Sequence, residues 1–314
     1  MGTKNEMLIR VAELYYEQQL SQNAISDILG VSRSSISRML DEARDAGIVE
    51  IIVHNPLKSN ADLSYKLRDA LGLRDAIVFT GKYTRSESFV RCGSTAAKLL
   101  SAVLENSQNI GITWGRATQS FVNMIEPFQY YGVNISQMVG CLGTGNPVED
   151  GIEIAILLSR KLNGTYSNIY APVYVSNESV YRYLLAEPQI RNAIERANHT
   201  DLVFTGIGTI FDDSTALIRT GHLNEKQRQA IIDLGAVGHL LARHYDIDGN
   251  EIRIDGCFPV SAPLSALTLS KLSVGMCTGV IMKNAVLAAV RAKYINVLIV
   301  DEDLANALIA EVGA

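Results

Sequence analysis

The 314-residue chain has one tryptophan, four cysteines and seven prolines, and no apolar stretch near the roughly 18 residues a membrane span needs. Its cysteines, Cys92, Cys141, Cys257 and Cys277, are scattered and form no CxxC pair. That argues against a disulfide framework or a structural zinc site and leaves small buried thiols as the expectation. Met1 to Glu6 lead into charged helical sequence without the apolar core of a signal peptide, so a cytoplasmic protein with no membrane partner is expected. His239 and His244 are five apart instead of the four that place two ligands on one helix face, so no metal is expected. GxGxxG is nowhere complete and a Walker lysine loop is missing, which disfavours nucleotide binding; no cofactor is expected. Asp246-Ile247-Asp248-Gly249-Asn250 opens like a calcium loop. Glu251 then stands where that loop requires glycine and Cys257 where it requires glutamate, so a hairpin turn is expected.

The chain does carry ordinary globular composition, 47% hydrophobic and 19% charged, in a length sufficient for more than one domain. Residues 1–55 read as three short helices. Leu8, Val11, Ala12 and Tyr15 recur at helical spacing over 6–19. Ser21 is placed to cap a second helix over 22–29, with Ala24, Ile25, Ile28 and Leu29 on its buried side. Gly30 supplies a positive φ for a tight turn, Val31 plugs the corner, and Ser32 caps a third helix over 33–46. Ile36, Leu40 and Ala43 share one face of that helix, leaving Arg33, Ser34, Ser35, Ser37 and Arg38 at its exposed N-terminal end.

This pattern is that of a helix-turn-helix whose recognition helix enters the major groove. Arginines there can read guanine, and short hydroxyls can reach bases or phosphates. The expected DNA-contacting residues are Gln22, Ser32, Arg33, Ser34, Ser35, Ser37 and Arg38, with operator DNA as partner. Gly47 ends the helix, and Ile48 to Val53 resembles a β wing. The segment holds five cations against eight carboxylates, a net of −3. A single copy should therefore bind nonspecific DNA weakly, and DNA binding is expected to need an oligomer.

Residues 56–314 form the expected second domain. Short apolar strands over 76–79, 109–113, 134–139, 169–175, 202–205, 273–277 and 297–300 alternate with helices over 86–105, 116–126, 149–162, 177–186, 224–234, 281–292 and 303–311. A connecting helix is expected over 61–71. Alternation of this kind predicts an α/β fold with a mostly parallel sheet covered on both faces. Ligands in such sheets sit beyond the carboxyl ends of the strands. The residues expected to hold one are Gly115, Arg116 and Ala117 after the second strand and Cys141, Leu142 and Gly143 after the third. Gly206, Gly208 and Asp213 follow the fifth, and His239 and Lys283 complete the set. His239 and Arg243 admit either a shared face toward the pocket or solvated and core roles. Asp212 and Asp213 read as a loop able to hold sugar hydroxyls in preference to an acid/base pair.

Ser21–Leu40, Gly111–Thr118, Gly206-Ile207-Gly208, Gly235-Ala236-Val237-Gly238, Tyr245–Gly249 and Tyr294–Asp303 together resemble the SorC/DeoR-type sugar-binding regulators of bacteria. The resemblance implies a helix-turn-helix head joined to a Rossmann-like effector domain of the sugar-phosphate-isomerase type. It also implies a homotetramer and a sugar or sugar-phosphate effector, with sorbose or sorbose phosphate favoured, and no enzymatic activity. The chain departs from that family at four places. Arg116-Ala117 stands in place of two threonines, Val139 in place of a Schiff-base lysine, Met282 in place of a phosphate-loop lysine, and His239 in place of an aspartate. The rival readings are an isomerase or deaminase tethered to DNA and a ligand-free architectural oligomer.

Overall fold

The computed structural model describes residues 4–49, 59–143, 151–212 and 216–313. The chain forms two compact units, Met1–Pro56 and Leu57–Ala314.

The first unit holds α1 (Lys4–Ala12), α2 (Gln22–Leu29) and α3 (Arg33–Asp45). Their shared core is Val11, Leu14, Ile25, Ile36 and Leu40, extended by Leu8, Ala12 and Ala43. α1 runs into one π turn, Glu13–Glu17, closed by the Gln18 N–H donating to the Glu13 carbonyl at 3.0 Å. The widened turn buries Leu14 and leaves Tyr15, expected on the buried face, only half-buried. Ile28 is likewise turned out, 58% exposed, so α2 is anchored by buried Ile25, with half-buried Leu29 packed against the same core. The turn between α2 and α3 has Gly30 at φ 68°, and the hydroxyls of Ser21 and Ser32 accept from the backbone N–H groups of Ala24 and Ser35. Ile48 and Val49 follow Gly47 in a bend; the rest of the expected wing, residues 50–53, lies outside the described residues.

The second unit begins with α4 (Ala61–Leu71), β1 (Asp75–Phe79), α5 (Arg85–Val103), β2 (Asn109–Ile112), α6 (Arg116–Met124), β3 (Asn134–Gln137), α7 (Gly151–Lys161) and β4 (Thr165–Ser167). Next come β5 (Tyr174–Val175), α8 (Glu178–Ala186), α9 (Pro188–Asn198), β6 (Leu202–Gly206), α10 (Ala216–Arg219) and α11 (Glu225–Asp233). A hairpin sheet of β7 (Gly238–Leu240), β8 (Arg243–Tyr245) and β9 (Glu251–Ile252) precedes β10 (Phe258–Pro259) and α12 (Ser265–Leu269). The chain closes with β11 (Leu272–Met276), α13 (Lys283–Arg291), β12 (Val297–Asp301) and α14 (Glu302–Val312).

Seven strands form one sheet in the order β1-β12-β11-β6-β2-β3-β4, every neighbour parallel. All five residues of β11 are buried, as are four of five in β6 and β12, the signature of a sheet covered on both faces. The expected strand over 169–175 is corrected. Thr165–Ser167 takes the sheet edge, and further on Tyr174–Val175 forms a short strand, antiparallel with β10.

Strand order places the site. From β2 the chain moves outward through β3 to β4, whereas β6 lies on the other side of β2 and leads to β11 and β12. The two directions part between β2 and β6. At such a switch point, the loops leaving the two strands diverge and open a crevice beyond their carboxyl ends.

Candidate functional site

A cleft opens at this switch point, with about 110 Å³ of space for water-sized groups. Four strand ends build it. Trp114 to Thr118 come from the β2–α6 connection, Gly206 to Gly208 follow β6, Met276 to Thr278 follow β11, and Arg85 and Phe89 stand on the first turns of α5 after β1. Asp212, Arg219 and His239 complete its polar walls.

Gly115 caps α6 at φ 113° with no side chain over the helix start, and a Cβ there would meet nothing within 4 Å. The first N–H groups of a nine-residue helix, carrying the positive end of its dipole, thus border the cleft. Trp114 is fixed by its indole N–H donating to the Gly140 carbonyl at 3.1 Å. Three guanidinium groups line the space, those of Arg85, Arg116 and Arg219. Arg116 lies 4.6 Å and Arg85 5.9 Å from the Phe89 ring centroid, a distance at which the ring face attracts both cations. Arg85 also donates through both terminal nitrogens to Asp212, whose side chain is nearly buried. The described lining residues include three cations and one carboxylate.

His239 sits deep in the cleft wall, 8% exposed, and burial pushes its imidazole down to about 4. The ring is therefore neutral at physiological pH. It packs so close to Gly208 that an added Cβ would come within 2.1 Å of Nε2. Cys277, another lining residue, is buried, and burial raises its thiol well above the ordinary range, which makes it a packing group.

Of the sequence-predicted ligand residues, Gly115, Arg116, Ala117, Gly206, Gly208 and His239 meet in this cleft. Lys283 does not line it; its ammonium pairs with Glu311 at 2.5 Å. Cys141, Leu142 and Gly143 are also absent from its walls. The backbone of Cys141 pairs with Ala171 and Val173, and the Leu142 carbonyl lies 2.7 Å from the His222 Nε2, so this loop is bound to other parts of the unit. Asp213 lies outside the described residues. Arg243 takes the core alternative: 8% exposed, it donates to Glu251 at 2.7 Å and to Ser261 at 3.1 Å. Burial alone would raise the Glu251 carboxyl, but Arg253 and Arg243 more than offset this and hold it low.

Sequence reading missed Arg85, Phe89 and Arg219. The rule that ligands gather at strand ends extends to β1, and applying it there would have drawn attention to Arg85. Arg219 sits on a four-residue helix with no periodicity to reveal it. The 246–250 segment is the expected turn: the Asp246 carboxylate accepts from the backbone of Asp248 and Asn250, and Gly249 has φ 86°. Among the described residues, no group of three or more His, Cys, Asp or Glu side chains could hold a metal ion, and no helix is long and apolar enough to cross a membrane.

In the first unit, Ser32, Arg33, Ser34 and Arg38 are exposed, and Gln22, Ser35 and Ser37 are partly exposed. The Ser32 hydroxyl lies 2.9 Å from those of both Ser34 and Ser35. Arg38, with its side chain 73% exposed, reaches Glu42 at 4.0 Å.

Residues 55–310 match the Sugar-bind family of sugar-binding domains. The chain is 28% identical to an uncharacterized transcriptional regulator of Escherichia coli K12, YjhU, over 98% of this chain and 95% of that protein. It is 26% identical to the deoxyribonucleoside regulator of Bacillus subtilis 168, over 98% of each. The crystal structure of the full-length sorbitol operon regulator SorC from Klebsiella pneumoniae superposes with a TM-score of 0.75 at 23% identity, covering 98% of this chain and all of that one. The last likeness is one of fold.

Proposed function

The chain belongs to the Sugar-bind family, and on that premise we propose that it is a transcription regulator that binds operator DNA and answers to a sugar or sugar phosphate. The observation that carries the reading is the cleft at the β2/β6 switch point, where three arginines and the uncapped start of α6 face one space. The cleft presents recognition groups: its carboxylate is neutralised by Arg85 and its imidazole is kept neutral by burial.

In this reading α2 and α3 are a helix-turn-helix. Ser32, Arg33, Ser34, Ser35, Ser37 and Arg38, with Gln22 at the start of α2, lie against DNA. The exposure of Arg33 and Arg38 opposite buried Ile36, Leu40 and Ala43 supports it, since the helix can offer one face while the other stays packed. The protein acts as an oligomer, with the tetramer favoured. Effector binding favours one arrangement of the subunits, which changes the spacing of paired heads on DNA; only differential affinity for the two arrangements can do this. Sorbose or its phosphate is the first effector to test, beside sorbitol 6-phosphate and deoxyribose 5-phosphate.

A thermal-shift screen against those phosphates, the free sugars and inorganic phosphate tests the reading. A ligand at a hundred times its Kd should contribute about 2.7 kcal/mol of apparent stability. Stabilisation by a sugar or its phosphate that Arg116→Ala abolishes is the expected result. Indifference to every compound would favour the ligand-free architectural oligomer, and turnover of a sugar phosphate would favour the tethered enzyme.

A further inference from the structure

One contact crosses the cleft as well as lining it. Arg85 opens α5 after β1, and Asp212 follows β6; in the sheet, β12 and β11 lie between those two strands. At the spacing of adjacent strands their carboxyl ends are about 14 Å apart, and the Arg85–Asp212 ion pair closes that gap. Asp301 stands at the end of β12, the strand next to β1. Its carboxylate is committed to the backbone N–H groups of Leu304 at 2.8 Å and Gly279 at 2.6 Å. Arg85 reaches past it.

Both ends of this bridge are fixed in their backbone. The start of α5 is held by a capping box, in which the Thr84 and Glu87 side chains each accept from the other residue's backbone N–H. The stretch before Asp212 is tied by Arg228 donating to the Ile210 carbonyl and by the Thr209 hydroxyl donating to the Val237 carbonyl, each at 3.1 Å. The side chains differ in freedom: that of Asp212 is 10% exposed and that of Arg85 49%. Arg85 also lies at the outer limit of attraction to the Phe89 ring, 5.9 Å from a centroid on which Arg116 sits at 4.6 Å. The ring offers the Arg85 guanidinium a second resting place beside Arg116, away from Asp212.

We propose that the Arg85–Asp212 pair is an autoinhibitory latch: it straps the cleft, and an anionic group of the effector opens it by taking Arg85 from Asp212. The inference rests on the cleft being the effector site and adds how occupancy becomes movement. A phosphate can replace the carboxylate because both accept two parallel N–H bonds from a guanidinium. The hydroxyls of a free sugar carry no charge, and exchange for them would leave a nearly buried carboxylate and its cation both without a charged partner. A free sugar therefore occupies the cleft with the latch shut, whereas a phosphorylated one opens it. Once released, Asp212 must turn to water, and that displacement of the segment after β6 is the signal. Asp212 also lowers affinity for the phosphate, since binding has to break the pair; the ligand shifts the equilibrium only by its unequal affinity for the shut and open states.

Calorimetry on the full chain tests the latch, with inorganic phosphate, sorbose 1-phosphate, sorbitol 6-phosphate and deoxyribose 5-phosphate as probes. The proteins are wild type, Asp212→Asn, Arg85→Gln and the double variant, each checked for folding by its thermal midpoint; Asp212→Ser takes over if the asparagine variant does not fold. Asp212→Asn should bind the best-bound probe about tenfold tighter than wild type, because the internal competitor is gone. In the Arg85→Gln background the same substitution should change affinity by less than about twofold. A gain of equal size in both backgrounds would make Asp212 a general source of negative field and overturn the latch, as would no gain in Asp212→Asn. Either contrary result leaves the effector role standing so long as a sugar phosphate binds the wild type. If no probe binds any of the four proteins, the effector reading itself falls and the latch with it.

Discussion

Gly208 and His239 illustrate how the cleft depends on single side chains. An alanine at 208 would drive its Cβ into the imidazole at 2.1 Å, and the rigid ring can answer only by moving. Gly208→Ala is therefore expected to destabilise the chain by about 1–3 kcal/mol, the usual scale of overpacking, and to weaken sugar binding, as read by urea midpoints and calorimetry. His239 also makes stability depend on pH. Its folded value of about 4 lies below the ordinary 6.5, so the unfolded chain binds its proton more readily. The contribution is fully present above about pH 6.5 and is lost as pH falls toward 4. Burial, with His239 as second cause, lowers His244 as well, in the same sense. A fall of roughly 3 kcal/mol from His239 across that window is expected. His239→Phe should flatten the profile of urea midpoint against pH; an unchanged slope would show that the ring is protonated in the folded state.

Among the elements, α2 and α3 were the most legible from sequence, because each boundary is marked by its own chemistry. Ser21 and Ser32 cap as their positions require, and Gly30 takes the left-handed turn. Ser32→Ala should cost about 1 kcal/mol, as loss of an N-cap does, and it also removes contacts to the Ser34 and Ser35 hydroxyls. Arg33→Ala with Arg38→Ala should leave the thermal midpoint nearly unchanged, since both side chains are solvent-exposed, yet reduce DNA affinity at least tenfold by anisotropy. Six of the seven sheet strands were legible because buried parallel strands read as short apolar runs; the edge strand β4, Thr165–Ser167, is polar and largely exposed and was not. The β7–β8 hairpin was not. Its turn uses Leu241 and Ala242 where glycine or asparagine would announce a positive φ, and so His239 and His244, set aside because five residues is not the helical spacing of four, prove to be cross-strand partners. Lys283 was drawn to the site by its place after β11, a reading that took no account of Glu311 as its ion partner. Arg85 went unnoticed because the β1 end offers no glycine-rich loop of the kind that marked the others.

The whole molecule pairs one unit that carries an exposed arginine-serine tip with another that carries a cleft at a sheet switch point. The first had to be small and locally specified. The second is set by long-range strand order: the sequence contains the strands, while only their arrangement brings residues 85, 116, 206, 219 and 239 to one place. The described residues that line the cleft, Arg116, His239 and Met282 among them, lie within the stretch that matches the Sugar-bind family. Coupling between the two units is the central claim, and it requires that one sugar phosphate bind two subunit arrangements unequally. The decisive measurement is the anisotropy of DNA selected by the full chain from a random pool, titrated with protein at fixed salt in the presence and absence of sorbose 1-phosphate, sorbitol 6-phosphate or deoxyribose 5-phosphate. A shift of at least fivefold in DNA affinity with one of them in the wild type, lost in Arg116→Ala, is the predicted result. Identical isotherms with every sugar phosphate, including one shown by calorimetry to occupy the cleft, would contradict it.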